Sequence, residues 1–231
     1  MKITILTLFP EMITPILNAS ILKRASDQEK VDYHVINFRD FSQNKHHTVD
    51  DTPYGGGAGM VLAVEPILHA LESIEGYQEA HKILLSPQGK TYHQDKAKKL
   101  LNHQHIILIC GHYEGFDERI RNFVDEELSI GDFVLTGGEI AAMAIVDSIV
   151  RLLPGVLGDE ASFKNDSFYE GLLDYPQYTK PRTFRGMEVP QVLLSGHHKN
   201  IEEWRLKESI ERTKTRRPDL YKKYIKDKKN Q

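Results

Sequence analysis

The sequence predicts an α/β fold, a mostly parallel sheet covered by helices, followed by a small helical domain at the C-terminus. Three observations carry that expectation. Apolar, β-branched runs alternate with amphipathic stretches as far as Gly155, the pattern of βα repeats. The runs are apolar throughout, as strands buried on both faces are. After Pro154 the character shifts to polar and proline-rich segments, then to lysine-rich helical spacing. No internal repeat of solenoid period is visible.

Each element has its own signal. Lys2–Phe9 reads as a strand stopped by Pro10. Glu11–Arg24 reads as one helix, with Ile13, Ile16, Leu17, Ile21 and Leu22 at three- and four-residue spacing. Val31–Phe38 is a strand, and residues 65–75 a short helix with Pro66 in its first turn. Lys82–Leu85 is a strand ended by Ser86-Pro87-Gln88-Gly89. Thr91 and Gln94 form a capping-box pattern ahead of Ala97, Leu100 and Leu101. His105–Cys110 is a continuous apolar strand, and Asp117 can cap a helix carrying Ile120, Phe123 and Val124. Phe133–Leu135 reads as a strand ended by Gly137-Gly138, and Ile140–Leu153 as a helix apolar on most sides. Asn200 and Glu203 can cap a helix from Ile201 to about Arg216, and Pro218 can open a last one through Lys228. The expected division is an α/β domain over 1–158, a flexible linker over 159–173 and a basic helical domain over 174–231.

The length, 231 residues, suits one large domain with an appendage and a substantial core. A single cysteine, Cys110, excludes a disulfide framework or a cysteine metal cluster and fits a reducing, cytoplasmic setting. The uncharged run Met12–Leu22 is too short to span a bilayer, so no membrane partner is expected. The start, MKITILTLFPEM, lacks a small-residue cleavage site and reads as a strand. The net charge of −3 argues, taken whole, against a nucleic-acid binder. Divided at Lys180 it changes meaning. Residues 1–179 carry 15 Lys and Arg against 26 Asp and Glu, a net of −11. Residues 180–231 carry 15 against 7, a net of +8. That asymmetry fits an acidic body with a basic appendage that meets an anion; it also fits two solvated, lysine-rich helices.

Three segments share one design, an apolar strand running into a glycine turn and then a helix. They are Leu84–Gly89, Cys110–Gly115 and Ile130–Glu139. Ligands of parallel sheets bind at the carboxyl ends of strands, and glycines there admit close backbone approach. None carries a Walker lysine or a dinucleotide fingerprint, so the turns point to a backbone-lined pocket for a nucleoside-like ligand, or else to plain connections. Tyr54–Met60 is a fourth glycine cluster, either a loop over a site or a turn. Eleven histidines include the pairs His46-His47 and His197-His198, but none has the spacing and partners of a zinc site, and no protein metal site is expected. Arg151 is the only cation in its apolar helix. It serves either the helix dipole or a developing anion, toward which a guanidinium is an always-charged fork. Asp166 lies in the linker, as a helix cap or as a general base delivered by a segment that orders on substrate.

Taken together, the motifs carry a resemblance. Pro53-Tyr54-Gly55-Gly56-Gly57, Leu85-Ser86-Pro87-Gln88-Gly89, Cys110-Gly111-His112-Tyr113-Glu114-Gly115, Ile130-Gly131-Asp132 with Leu135-Thr136-Gly137-Gly138-Glu139, Pro154-Gly155-Val156-Leu157-Gly158, Gly186-Met187-Glu188-Val189-Pro190 and Leu193-Leu194-Ser195-Gly196 occur in that order. From Met1 through Trp204-Arg205 and the Arg-Arg-Pro ending at Pro218, the chain resembles the bacterial tRNA (guanine-N1)-methyltransferase family of trefoil-knotted SPOUT methyltransferases. The resemblance implies a knot that topology rules alone would exclude. It implies S-adenosylmethionine as methyl donor, Mg²⁺ for turnover, and a homodimer with active sites shared between subunits. It implies methylation of the guanine 3′ of the anticodon in tRNA. It makes Leu85, Ser86, Pro87, Gly111, Tyr113, Glu114, Gly115, Ile130, Gly131, Leu135, Gly137 and Gly138 candidate cofactor contacts. Two positions depart from the family pattern: Ala58 stands where proline is usual, and Phe133 where tyrosine is frequent, removing a hydroxyl.

Guanine N1 carries a proton, and negative charge builds toward O6 as that proton leaves. The resemblance gives Asp166 the proton and Arg151 the charge. A free carboxylate is a weak base at pH 7, so burial on substrate binding is expected to strengthen it. The basic residues Lys180, Arg182, Lys199, Arg205, Lys207, Arg212, Lys214, Arg216 and Arg217 are candidates for gripping phosphates. Another RNA target, or a catalytically inactive RNA-binding chain, is the alternative.

Overall fold

In the computed structural model, residues 1–158 and 166–229 are described. The chain divides into two units, Met1–Gly158 and Asp159–Gln231.

The first unit opens with β1 (Lys2–Thr7), α1 (Pro10–Leu17), α2 (Ser20–Asp27) and β2 (Asp32–Asn37). A two-residue antiparallel ribbon, β3 (Asp50–Asp51) with β4 (Val61–Leu62), flanks the glycine-rich loop. Then come α3 (Val64–Glu72), β5 (His81–Thr91), α4 (Gln94–Leu100), β6 (His105–Cys110), β7 (Glu126–Ser129) and α5 (Glu139–Val150). The sheet runs β2-β1-β6-β5-β7 with every neighbour parallel. It is the α/β sheet the alternation predicts.

Strand residues alternate between two helical layers. Leu6, Leu84, Ile107 and Ile109 join Phe38, Leu62, Ile67 and Leu71 in one buried cluster beneath α3. The opposite face lies under α5, which packs on β1 and β6 with α1, α2 and α4 beside it. Eight of its twelve residues are buried, among them Ala142, Ile145, Val146 and Ile149. A helix apolar on most sides is one enclosed on most sides.

Several elements differ from the sequence expectation. The single helix expected over Glu11–Arg24 is two, broken at Asn18–Ala19. Pro15 removes a donor inside α1, and Asn18 turns back to close it, its backbone N–H and its Nδ2 both donating to the Thr14 carbonyl at 3.1 and 3.0 Å. Thr91 caps nothing; α4 begins after His93 without a side-chain cap. Asp117 does cap, accepting from the Arg119 backbone N–H, but the segment Glu118–Phe123 is a 3-10 helix. Phe133–Leu135 is no strand. The strand is Glu126–Ser129, whose charged pair Glu126-Glu127 conceals it. β5 also continues beyond Leu85, bulging over Ser86–Gly89 and pairing again at Lys90 and Thr91. Proline is tolerated in a strand at such a bulge. A Cβ on Gly89 would lie 2.5 Å from the Leu128 backbone, so the bulge closes on β7 only with glycine there.

In the second unit, β8 (Thr183–Phe184) and β9 (Met187–Glu188) form a small hairpin. It is followed by α6 (Gln191–Leu194), α7 (His198–Arg216) and α8 (Pro218–Lys229). The described part of the segment before it is tied onto α7. Leu173 N–H donates to Thr213 Oγ1 at 2.8 Å, and Asp174 N–H to Ser167 Oγ at 2.8 Å.

Candidate active site

The bulge inside β5 and the turns that follow β6 and β7 line a cavity of about 330 Å³. All twelve candidate cofactor contacts named from the sequence line it. It also draws in Gln88, His112, Phe116, Glu118, Arg121, Phe133 and Thr136, which were not singled out for it. Most are immediate neighbours of the glycines in the same motifs. Arg121 comes from a separate segment and had no local signal.

The first wall is the β5 bulge, where Ser86 Oγ accepts the Gln88 N–H at 3.0 Å. The second is the turn after β6, closed by Gly115 N–H to the His112 carbonyl at 3.1 Å. The third follows β7: Ser129 Oγ accepts from Gly131 N–H and donates to its carbonyl, and Phe133 N–H returns to the same carbonyl. Phe133 and Val134 are 53% and 82% exposed, so the apolar run that resembled a strand faces outward at the cavity. The second and third walls are joined by Gly138 N–H to the Gly111 carbonyl at 2.9 Å and by a bridge between His112 and Gly137.

Much of the glycine content serves this wall-to-wall packing. A Cβ on Gly111 would lie 2.6 Å from the Phe116 ring, and one on Gly138 would lie 2.8 Å from Cys110 Cα. Gly115 alone of the second and third walls' glycines has nothing within 4 Å of such a Cβ. The glycine-rich loop is held beside this turn: Glu114 N–H donates to the Met60 carbonyl and Leu62 N–H to the Gly115 carbonyl, at 3.0 and 2.9 Å. Tyr54, at the start of that loop, is fully exposed.

The charged side chains of the lining are Glu114, Glu118 and Arg121. Two carboxylates against one guanidinium favour a ligand of net positive charge. Arg121 is itself committed. It donates to Glu127 at 2.9 and 3.1 Å, to Gln88 Oε1 at 3.1 Å, and to Glu118. Burial would raise the Glu127 carboxyl, but these bonds outweigh it and hold it below the ordinary range. Cys110 lies fully buried behind the second wall. Burial, helped by the charge of Glu139, pushes its thiol well up, which keeps it protonated and unreactive. Among the described residues no three His, Cys, Asp or Glu side chains gather as a metal site. They do not fit a Mg²⁺ held by protein ligands alone.

Neither candidate catalytic residue is among the residues that line the cavity. Arg151 caps α5 at its C-terminus, with its backbone N–H on the Asp147 carbonyl at 3.1 Å. The cavity adjoins the other end of that helix, twelve residues away, or about 18 Å along its axis. Asp166 opens a turn in the second unit in which Tyr169 N–H meets its carbonyl at 3.3 Å. The guanidinium of Arg217 lies 5.9 Å from the centroid of the Phe168 ring in that turn.

The second unit also sorts the basic candidates. Lys180, Arg182, Lys199, Lys207, Lys214 and Arg216 are exposed. Arg205 stacks over Tyr175 at 4.8 Å, and Arg217 is held by Asp219 at 2.9 and 2.6 Å. Trp204 is half-buried, its ring centroid 6.5 Å from that of Tyr178. No described helix is long and apolar enough to cross a membrane.

A family model described as tRNA (Guanine-1)-methyltransferase TrmD matches residues 1–223. The chain is 61% identical over 224 residues to the tRNA (guanine-N(1)-)-methyltransferase of Brevibacillus brevis, covering 96% of this chain and 92% of that one. It is 58% identical over 223 residues to the proteins of that name from Bacillus cereus and Bacillus anthracis, covering 95% of this chain and 91% of theirs. With the match running through both units, the chain belongs to the tRNA (guanine-1)-methyltransferase family.

Proposed function

We propose that this protein transfers a methyl group from S-adenosylmethionine to N1 of the guanine 3′ of the anticodon in tRNA, as a cytoplasmic homodimer. The observation that carries the reading is the convergence of all twelve candidate contacts on one cavity of a family member. S-adenosylmethionine, when bound, supplies a methyl on a sulfonium already activated toward attack. Its net positive charge suits a lining whose charged side chains, Glu114, Glu118 and Arg121, sum to one negative charge.

The chain's own residues supply the rest. The cavity walls fix the donor, so that attack becomes a matter of orientation. Asp166 takes the N1 proton as general base, and Arg151 stabilises the charge that grows toward O6. Arg151 stands at the far end of α5 from its own cavity, which supports an active site assembled from two subunits. Six exposed cations of the second unit grip the stem phosphates.

The test is methyl transfer from labelled donor to a tRNA transcript with that guanine present or replaced, followed by primer extension. Transfer that stops the primer at that base supports the reading. Transfer that ignores the replacement points to another RNA site, and no transfer points to an inactive RNA-binding chain.

A further inference from the structure

Glu139 is 1% exposed at the first position of α5. A carboxylate there is expensive to bury, and a leucine or methionine would fill the volume at less cost. The helix N-terminus offsets part of that cost. The rest goes to its partners. Glu139 Oε1 accepts Thr7 Oγ1 at 2.6 Å, and Oε2 pairs with His112 Nε2 at 2.9 Å. Thr7 ends β1, and its Oγ1 also accepts the Phe9 N–H at 2.9 Å. The Phe9 ring lies 4.6 Å from the His112 ring.

One buried carboxylate thus spans the end of β1, the turn after β6 and the start of α5. The turn after β6 is the second wall, and the third wall runs through Gly137 and Gly138 directly into α5. The packing leaves no slack, because a Cβ on Gly137 would lie 2.1 Å from His112 Nε2 and 2.4 Å from Glu139 Oε2. We infer that Glu139 and His112 are positioning residues that set the separation of the second and third walls, and so the affinity of the cavity for the adenosyl part of the methyl donor. This rests on the reading of the cavity as the donor site.

The test is calorimetric binding of S-adenosylhomocysteine to the full-length protein, with tRNA affinity measured on the same samples. His112→Ala and Glu139→Ala should each weaken S-adenosylhomocysteine at least tenfold and leave tRNA affinity within twofold. The double variant should bind no more weakly than the worse single one, since the two act as a unit. Glu139→Gln still accepts from Thr7 and can donate to His112, so it should recover binding to within about threefold of wild type. If Glu139→Ala does not fold, His112→Ala decides. A folded His112→Ala that binds like wild type overturns the inference, as do fully additive losses. A wild-type protein that binds no S-adenosylhomocysteine overturns the donor-site reading itself.

Discussion

Asp166 and Arg151 make different demands on a substitution. If Asp166 is the general base, Asp166→Ala should cut single-turnover methylation by roughly 10²- to 10⁴-fold while S-adenosylhomocysteine still binds; wild-type turnover would remove it from the mechanism. Arg151→Lys keeps the charge but loses the planar fork, and a loss of about 10²-fold is expected in the same assay. Glycines separate in the same way. At Gly138 a methyl would strike the backbone of Cys110 and Gly111 at 2.8 and 3.0 Å. Gly138→Ala should therefore cost about 1–3 kcal/mol in urea unfolding. Gly158 has nothing within 4 Å of a Cβ, and Gly158→Ala should stay within about 0.5 kcal/mol. Equal effects at the two positions would mean that backbone closure of the walls is not what Gly138 provides.

β7 shows how charge can hide a strand and then hold it. Glu126 meets His81 at 2.6 Å and Lys96 at 2.5 Å, while Lys82 meets Asp125 at 3.0 Å. Burial would raise Glu126, but the Lys96 and His81 bonds win and depress it below its ordinary value of 4.5. A carboxyl depressed in the folded state leaves the unfolded chain binding more protons, so its stabilisation is full above pH 4.5 and fades as pH falls below that. Glu126→Gln should lose about 1–3 kcal/mol at pH 7, with the gap to wild type narrowing as pH falls below 4.5; a gap independent of pH would refute the ion-pair account. The sequence pattern led elsewhere, to Phe133–Leu135, because hydrophobic periodicity cannot distinguish a core-facing run from one at a cavity mouth. Strands without charge, such as Ile106–Cys110, were legible from their composition. The cavity's glycines were legible as turns, but their physical role was not, since contacts such as Gly138 against Cys110 join residues far apart in the chain. Glu139 was read only as part of a motif; nothing local shows that Thr7 lies against it.

For the whole molecule, charge divides unevenly between the two units, a net of −7 over residues 1–158 and +4 over residues 159–231. If the exposed cations grip phosphates, log Kd for tRNA should rise linearly with log salt, and Lys207→Ala should reduce that slope by about 1 without changing the target base. A flat salt plot would sink the grip. The proposal that each site is shared between two subunits has its own test. Arg151→Ala and Leu135→Arg, one lacking the charge stabiliser and the other with its cavity filled, should each be inactive alone. After mixing and subunit exchange they should regain methylation, because one heterodimer site draws an intact cavity and an intact Arg151 from different chains; failure despite proven exchange would place both in one subunit. The cavity walls carry one more consequence. Five glycines, Gly111, Gly115, Gly131, Gly137 and Gly138, line them, and a point mutation cannot delete the main-chain groups those glycines present. An inhibitor anchored on those groups would leave the cell few single-codon escapes, and if the cavity is the donor site, the remaining routes, such as bulk at Leu135, would obstruct the methyl donor as well.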